Sequence, residues 1–330
     1  MEPLFRTMIT AAAAAYSPQN AQAWRFLPWG DRLYARLDPA RSFPTVDPRH
    51  RGGWVSLGAA VENARLAANA WGLDTNVTFD VSQEWPAAVQ VIAGVPADAS
   101  NVVLAAQMML RRTHRGRMTG PPLSRAELAA AGRAALPGAR TVTTAARDRV
   151  RVLDAVEFAV RVQVGDKRAR RELHRWHRFW PWEASGATDG ILASNLGMSR
   201  VRGSVGRVLS APPLVSMLGV PSRLAREARR VADTSTDFLL FVAPGTDPAA
   251  LFEGGRGWQR AALALAASGA VTHAMTAPVD VPDAATALRR IHGVTETEGL
   301  VAFVRAGRPE HLLPPAPRRD PADFVDRMVP

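Results

Sequence analysis

Two short stretches hold side chains whose types and spacing suit the binding of a polar ligand. The first runs Ser17-Pro-Gln-Asn-Ala-Gln-Ala-Trp-Arg-Phe26. Pro18 forbids a helical residue just before it, so a helix read over Pro3 to Ala15 must stop there. The loop that follows sets a hydroxyl (Ser17), amide side chains (Gln19, Asn20, Gln22) and free backbone groups close together. Such a set offers donors and acceptors to a flat polar heterocycle. The same residues also read as an ordinary helix stop, with Asn20 satisfying turn carbonyls. The second stretch is Arg111-Arg112-Thr113-His114-Arg115. Forked guanidinium groups beside a hydroxyl make a phosphate cradle.

Other chemistries drop out. The chain of 330 residues has no cysteine. That removes disulfides, thiolate nucleophiles, zinc–thiolate sites and iron–sulfur clusters. His174-x-x-His177 is a pair at helical spacing without an evident third ligand, which does not make a zinc site. No G-x-S-x-G occurs. Glu253-Gly-Gly-Arg-Gly257 lacks the spacing of a dinucleotide fingerprint and reads as the opening of the helix that follows it. The net charge of +11 is almost all arginine, with Lys167 the one lysine. Such a balance suits nucleic acid, an anionic membrane face or a phosphorylated small molecule. The run from Arg168 to Arg178 reads as a solvated helix face in preference to a nucleic-acid contact. No apolar run reaches the roughly 18 residues of a membrane span, and the first residues do not read as a signal peptide. The expected location is the cytoplasm.

The elements that must position these residues follow from periodicity. A hairpin turns at Trp29-Gly30-Asp31. Leu57, Val61, Ala64, Ala68 and Trp71 share one face of a helix over Ser56 to Trp71, capped by Gly72. Strands follow over Val77 to Val81 and Val89 to Ala93, then a helix over Ala97 to Leu110. The apolar run Phe238 to Val242 suits a buried strand. A helix over Trp258 to Ser268, a glycine cap at Gly269 and a strand over Ala270 to Met275 repeat the helix–glycine–strand plan of residues 56–81. Residues 165–232 differ: arginines, among them Arg200, Arg202 and Arg207, alternate with Trp176, Trp180 and Trp182, and glycines and prolines cut the stretch into short helices. It reads as an insertion lying over something. Pro314 to Pro317 reads as an extended segment wrapped on the surface.

Ser17 to Phe26 resembles the S-P-x-N-x-Q-P-W-R-F signature of FMN-dependent nitroreductases, with Ala23 in place of the usual proline. Arg111 to Arg115 resembles their R-R-[ST]-x-R segment. The order is inverted with respect to a single-module member, in which the arginine motif comes first. Two fused modules, each keeping half of the motif set, account for that order and resemble the Acg-type nitroreductase-like proteins. The resemblance covers most of residues 3–130 and 235–310. It implies an α+β, nitroreductase-like fold built as an intramolecular pseudo-dimer, with modules at 1–104 and 105–330 and a helical insertion or lid at 165–232. It also implies a functional monomer with one FMN per chain.

In that resemblance Arg111, Arg112, Thr113 and Arg115 hold the FMN phosphate. Ser17, Gln19, Asn20 and Gln22 contact the ring or ribityl chain. Two further carry-overs follow: Thr276-Ala-Pro-Val-Asp280 resembles the turn that passes the flavin ring, through Pro278 and Val279, and Arg305-Ala-Gly-Arg308 supplies another phosphate cation, Arg308. Each reads equally as a connecting turn or a strand end. No dedicated catalytic acid, base or metal is implied. The expected activity is NAD(P)H-dependent reduction of a small electron acceptor of nitro or quinone type. The alternative is a flavin stored or sensed under the 165–232 cover, with Trp180 or Trp182 across the face a nicotinamide needs.

Overall fold

The structure is a computed structural model that describes residues 2–199, 201–204 and 219–326. Arg200 and Arg207 lie outside the described residues. The fold is mixed α+β. In chain order, helix α1 (Glu2–Ala13) leads into strands β1 (Trp24–Trp29) and β2 (Arg32–Leu37), helix α2 (Arg51–Ala70), and strands β3 (Leu73–Phe79) and β4 (Ala87–Pro96). Short α3 (Ala99–Ala105) and α4 (Arg125–Ala135) precede β5 (Arg140–Thr143), α5 (Arg149–Gly165), α6 (Lys167–His174), β6 (His177–Arg178), α7 (Pro181–Ser185), β7 (Ile191–Leu192) and α8 (Val220–Asp233). Then come β8 (Asp237–Ala243), α9 (Pro248–Ala267), β9 (Val271–Met275), α10 (Ala277–Asp280), α11 (Pro282–His292) and β10 (Gly299–Gly307).

Among the described residues eight strands form two four-stranded antiparallel sheets, ordered β1-β2-β4-β3 and β5-β8-β10-β9, and β6 pairs with β7 in parallel. The order is the same in both: first, second, fourth, third. Each sheet has a 20-residue helix between its second and third strands, α2 in one and α9 in the other. The sheets differ in the link between their first two strands. In the first sheet it is the turn Gly30-Asp31, where Gly30 has φ 59°. In the second it is residues 144–236, which carry the arginine-rich stretch.

Helices α2 and α9 pack against each other between the sheets. Leu239, Phe241 and Ala243 of β8 join the core under α9, and Phe238, Leu240 and Val242 join the core under α5 and α11. Burial on both faces is why β8 is an unbroken apolar run. Leu57, Val61 and Ala64 of α2 pack with α1 and the inner face of the first sheet.

The two central helices touch through backbone. A Cβ on Gly58 would stand 2.0 Å from the Phe252 carbonyl oxygen, and one on Gly255 would stand 2.1 Å from that of Val55. On its other side α9 meets α4 as closely: a Cβ on Gly257 would stand 2.3 Å from the Ala135 oxygen. Glu253 to Gly257 therefore lies inside α9 and does not open a helix. Its glycines are close-approach positions, and the helix starts earlier, where Asp247 accepts from Ala249 and Ala250 at Pro248. Helix α2 likewise starts at Arg51, and the helix expected over 97–110 shortens to α3.

Beside this crossing Glu62 is fully buried. It accepts from Arg65 on its own helix at 2.7 Å and from Arg256 and Arg260 of α9 at 3.0 Å each. Gln259 donates to Asn63 (2.9 Å), which donates to the Ala11 carbonyl (2.8 Å). No helix among the described residues is long and apolar enough to cross a membrane.

Two outcomes follow from this crossing. Gly58→Ala should lose about 2 kcal/mol or more of stability in urea melts, because backbone atoms cannot rotate away from the new methyl. Gly165→Ala, at the end of α5 with open space around it, should be neutral or slightly stabilising. The second outcome is a pH dependence. Burial pushes the Glu62 carboxyl up, but the Arg65 hydrogen bond and the charges of Arg65, Arg256 and Arg260 outweigh it and bring it from 4.5 down to about 2. The folded chain thus holds this proton more weakly than the unfolded one. The carboxylate's contribution is complete above about 4.5 and fades as pH falls toward 2. Glu62→Gln should cost about 3 kcal/mol at pH 7 and flatten that acid limb.

Candidate functional site

The Ser17–Gln22 loop, the Arg111–Arg115 segment and the turn at Pro278 meet along one seam between the two sheets. Each is fixed locally. In the loop, Gln19, Asn20 and Gln22 take left-handed φ of 50°, 56° and 52°. Each such residue costs of order 1 kcal/mol, and asparagine tolerates the conformation best. The loop is held by Asn20 N donating to the Ser17 carbonyl (3.0 Å), Ala21 N to that of Pro18 (2.9 Å), and Gln22 N to Ser17 Oγ (3.1 Å). The arginine segment lies along the edge strand β9, where His114 N donates to the Thr272 carbonyl (2.9 Å). The third element, α10, is tied to the other half by Arg51 at the start of α2, which donates to Asp280 (2.6 Å) and to the carbonyls of Leu300 and Val301 (3.0 and 2.9 Å).

A cavity of about 620 Å³, part of it open to solvent, lies at this seam. Tyr16, Ser17, Gln19, Arg115, His273, Thr276 and Pro278 line it, with Val160, Gln163, Ile191 and Ala228 closing the side toward residues 144–236. A larger groove of about 2070 Å³ shares Arg115, Ala228, His273 and Met275 with it and continues past His114, Arg117, Arg202 and Arg305.

The electrostatics of the seam are one-sided. Burial, then Arg112 and Arg115, hold the Arg111 guanidinium down at about 10, and burial holds Arg115 at about 10. Arg305 is brought to about 9 by burial and Arg115. Arg318 is brought to about 9 by burial and by Arg111, Arg115 and Arg112. No carboxylate among the described residues acts on any of the four. All remain cationic at neutral pH, and a buried charge without a partner costs several kcal/mol. Arg111 donates to Thr113 Oγ1 (3.3 Å) and the Ala14 carbonyl (2.9 Å). Its Nε, the Nη1 of Arg115 and the Oε1 of Gln19 are buried and find no partner among the described residues.

Arg305 has a different part. Its Nε donates to His273 Nδ1 (3.0 Å), and its two other nitrogens donate to the carbonyls of Val231, His114 and Gly116 and to Ser235 Oγ. A guanidinium can only donate, so His273 Nδ1 must accept and the ring proton sits on Nε2. Burial, with the charges of Arg305, Arg115 and His114, pushes the His273 ring well below its ordinary range. It is a neutral donor on the wall of the cavity.

The residues expected from sequence divide accordingly. Ser17, Gln19, Arg115 and Pro278 line the cavity, and Arg111, Arg112 and Thr113 stand beside Arg115. Val279 is buried in the core with Phe303 behind that wall. Asn20 and Gln22 are at the seam, but their side chains already tie segments together. Asn20 Nδ2 donates to the carbonyls of Gly190 (3.1 Å) and Pro317 (2.9 Å), and Gln22 Nε2 donates to that of Thr188 (3.0 Å). Arg308 is a correction. It pairs with Glu127 and donates to the Pro121, Pro122 and Ser268 carbonyls, away from the cavity. Arg305 and Arg308 are three apart along an extended chain, so they face opposite ways, and Arg305 is the one turned to the seam. Trp180 and Trp182 stack on each other with centroids 4.8 Å apart, Trp182 is 69% exposed, and neither lines the cavity. His174 and His177 have ring centroids 6.1 Å apart, and no group of three metal-binding side chains exists among the described residues. Sequence reading missed Arg318 and His273. One follows a proline run, and the other sits in a short strand with no motif around it.

No protein-family model matches the chain. A curated relative, uncharacterized protein MT1398 of Mycobacterium tuberculosis (strain CDC 1551 / Oshkosh), is 36% identical over 117 residues. These are 34% of this chain, and the chain covers 16% of that protein's length. Three solved structures are similar. The FMN and NADPH-dependent nitroreductase NfnB of Sphigopyxis sp. strain HMH aligns at 17% identity and TM-score 0.42, over 68% of this chain and 99% of its own. The FMN-dependent nitroreductase NfnB of Mycobacterium smegmatis, solved with NADPH, aligns at 14% and 0.39, over 63% and 88%. A nitroreductase with bound FMN from Desulfitobacterium hafniense aligns at 13% and 0.42, over 69% and 98%.

An anion at the seam would offset the unpaired guanidinium charges. Inorganic phosphate should therefore raise the melting temperature of the ligand-free protein by a few degrees over chloride at matched ionic strength. Arg115→Gln should abolish most of that increment.

Proposed function

We propose that the chain is an FMN-binding, nitroreductase-like flavoprotein, an NAD(P)H-dependent reductase of nitro or quinone-type acceptors that carries one FMN. The observation that carries this reading is the group of buried and half-buried arginines, on which no carboxylate among the described residues acts, beside a cavity whose other walls include Ser17, Gln19 and Pro278. The residues present fit the group. Arg111 and Arg115, with Thr113 and Arg112, are the phosphate ligands in this reading. The unpartnered Nη1 of Arg115 and Nε of Arg111 are donors of the kind a phosphate accepts. Ser17 and Gln19 meet the ring or ribityl chain, and the Gln19 Oε1 without a partner is an acceptor for such a contact. Pro278 passes the ring edge with Val279 packed behind it.

When bound, FMN supplies two-electron chemistry, taking hydride from a reduced nicotinamide and passing it to an acceptor. The chain's own part is to grip the anionic end, orient the ring and keep water out. Arg115 fixes position by charge and fork. His273 presents Nε2–H without taking up a proton of its own. No side chain need act as general acid or base.

In this reading the chain is two nitroreductase-like modules, at about residues 1–104 and 105–330, packed as an intramolecular pseudo-dimer of the Acg type. The repeated strand order and the paired central helices support it. The cover expected at 165–232 is, in this reading, supplied by the described part of that segment around residues 188–191. A second reading, FMN held in store or for sensing, is favoured by the way that cover is tied down. The carbonyls of Thr188 and Gly190 engage Gln22 and Asn20, Ile191 lines the cavity, and Asp189 pairs with Arg41 and with Arg178 (2.7 Å). In this version Ile191, and not Trp180 or Trp182, stands over the site.

The purified protein should be yellow, with FMN released on denaturation at close to one per chain. Under anaerobic conditions excess NADPH should bleach the flavin if the chain is a reductase and leave it oxidised if the cover holds. A colourless protein that takes up no FMN would end both readings.

A further inference from the structure

We propose that the groove beyond the cavity is the site of the electron acceptor, an apolar-bodied anion, and that His273 binds its redox head by donating Nε2–H to an oxygen. This rests on the FMN reading, since a flavin in the cavity is what the acceptor must reach. His273 stands where the two spaces join: with Arg115, Ala228 and Met275 it lines both. It faces Arg305 across the β9–β10 ladder, and cross-strand partners leave a sheet on the same face. Met275, two residues on, shares that face. Arg305 Nε donates to His273 Nδ1 (3.0 Å), and its other nitrogens are held by three carbonyls and Ser235 Oγ. The imidazole is thus fixed in one tautomer, with Nε2–H on the far side of the ring from Arg305. That group finds no protein partner among the described residues. A ring held this way can only donate from Nε2, so it selects an oxygen of a nitro group or quinone over an N–H.

The groove supplies the rest of the recognition. Ala228 and Met275, and beyond them Val231, Leu196, Met198 and Leu313, give it an apolar lining, of the kind that takes the body of a small ligand. Leu313 leads into an extended strap that crosses the Ser17–Gln22 loop. Asn195 Nδ2 donates to the carbonyls of Pro314 (3.0 Å) and Pro315 (3.3 Å), Asn20 Nδ2 to that of Pro317 (2.9 Å), and Arg319 N to Gln22 Oε1 (3.0 Å). The Leu313 part of the lining is therefore pinned to the same loop that lines the cavity. The charges of the groove are not balanced. Glu227 stands 3.7 Å from Arg230, and Glu310 stands 3.8 Å from His311. Arg117 and Arg202 line the groove but not the cavity, are exposed, and form no ion pair among the described residues. An apolar bed, a neutral donor at its inner end and spare guanidinium groups farther out match a planar acceptor with an anionic substituent, a sulfonated or carboxylated quinone or nitroarene.

The test is calorimetric titration of the oxidised, FMN-loaded protein, without reductant, with three probes of similar shape. They are 9,10-anthraquinone-2-sulfonate, its uncharged sulfonamide, and anthracene-2-sulfonate, which lacks the quinone oxygens. Wild type should prefer the quinone sulfonate over the anthracene sulfonate by about tenfold, the worth of one hydrogen bond. It should prefer it over the sulfonamide by about three- to fivefold. His273→Phe should erase the first preference and keep the second. His273→Gln, which can accept from Arg305 and still donate, should keep both. Arg117→Gln combined with Arg202→Gln should erase the second preference and keep the first. Nitrogen NMR of the imidazole should find the proton on Nε2, and a proton on Nδ1 would overturn the inference. So would a wild type that binds none of the probes or all alike, or a His273→Phe protein that loses all three equally. Each of these leaves the FMN reading intact. A protein that takes up no FMN, seen first as a colourless preparation, would overturn both.

Discussion

The contact on which everything else depends is the crossing of α2 and α9, where backbone rests on backbone through Gly58 and Gly255. Such a crossing permits one separation and one depth. It sets two sheets back to back, and Glu62, held by Arg65 from its own helix and by Arg256 and Arg260 from the other, keeps the helices from sliding. The start of α2 is thereby brought against the second sheet, and Arg51 reaches Asp280 and the β10 carbonyls from there. That is what sets a loop belonging to the first sheet opposite a turn belonging to the second. The cavity is a by-product of where two rigid layers end.

Around it the protein treats its many cations in two ways. Arg308 faces Glu127, Arg229 faces Asp154 and Arg41 faces Asp189, so their charges are matched by carboxylates. Arg111 is buried and Arg115 and Arg318 are half-buried, and no acid among the described residues acts on them. Arg305 is intermediate. Its donors are all used on carbonyls, a hydroxyl and a ring nitrogen, so it organises the 114–116 turn and His273 while adding its charge to the wall. The contrast between matched and unmatched arginines, in a chain so rich in them, marks the seam more sharply than any count of basic residues.

Much of the fold was legible because periodicity and turn chemistry report local geometry. The hairpin at Gly30 and the caps at Gly72 and Gly269 sit where residue type demands. The Glu253–Gly257 stretch misled because glycine reads locally as a breaker, whereas here its value lies in a contact with residues almost two hundred positions away. The candidate site was legible in part for the same reason. Ser17, Gln19, Arg111 and Arg115 belong to compact motifs, while Arg318 and His273 acquire their place only when a strap crosses the seam and a strand is set beside Arg305. The choice of Arg308 over Arg305 turned on which way each side chain points, which depends on strand register and not on spacing.

The glycine crossing also decides which motions remain to the molecule. With backbone on backbone at Gly58 and Gly255 and the Glu62 ion pairs beside them, α2 and α9 resist sliding past each other. Any widening of the cavity therefore falls to the pieces laid over it, the 188–191 turn and the proline strap. A solute on its way in passes this rim, so the width of the entrance is set by the wrapping and not by the frame.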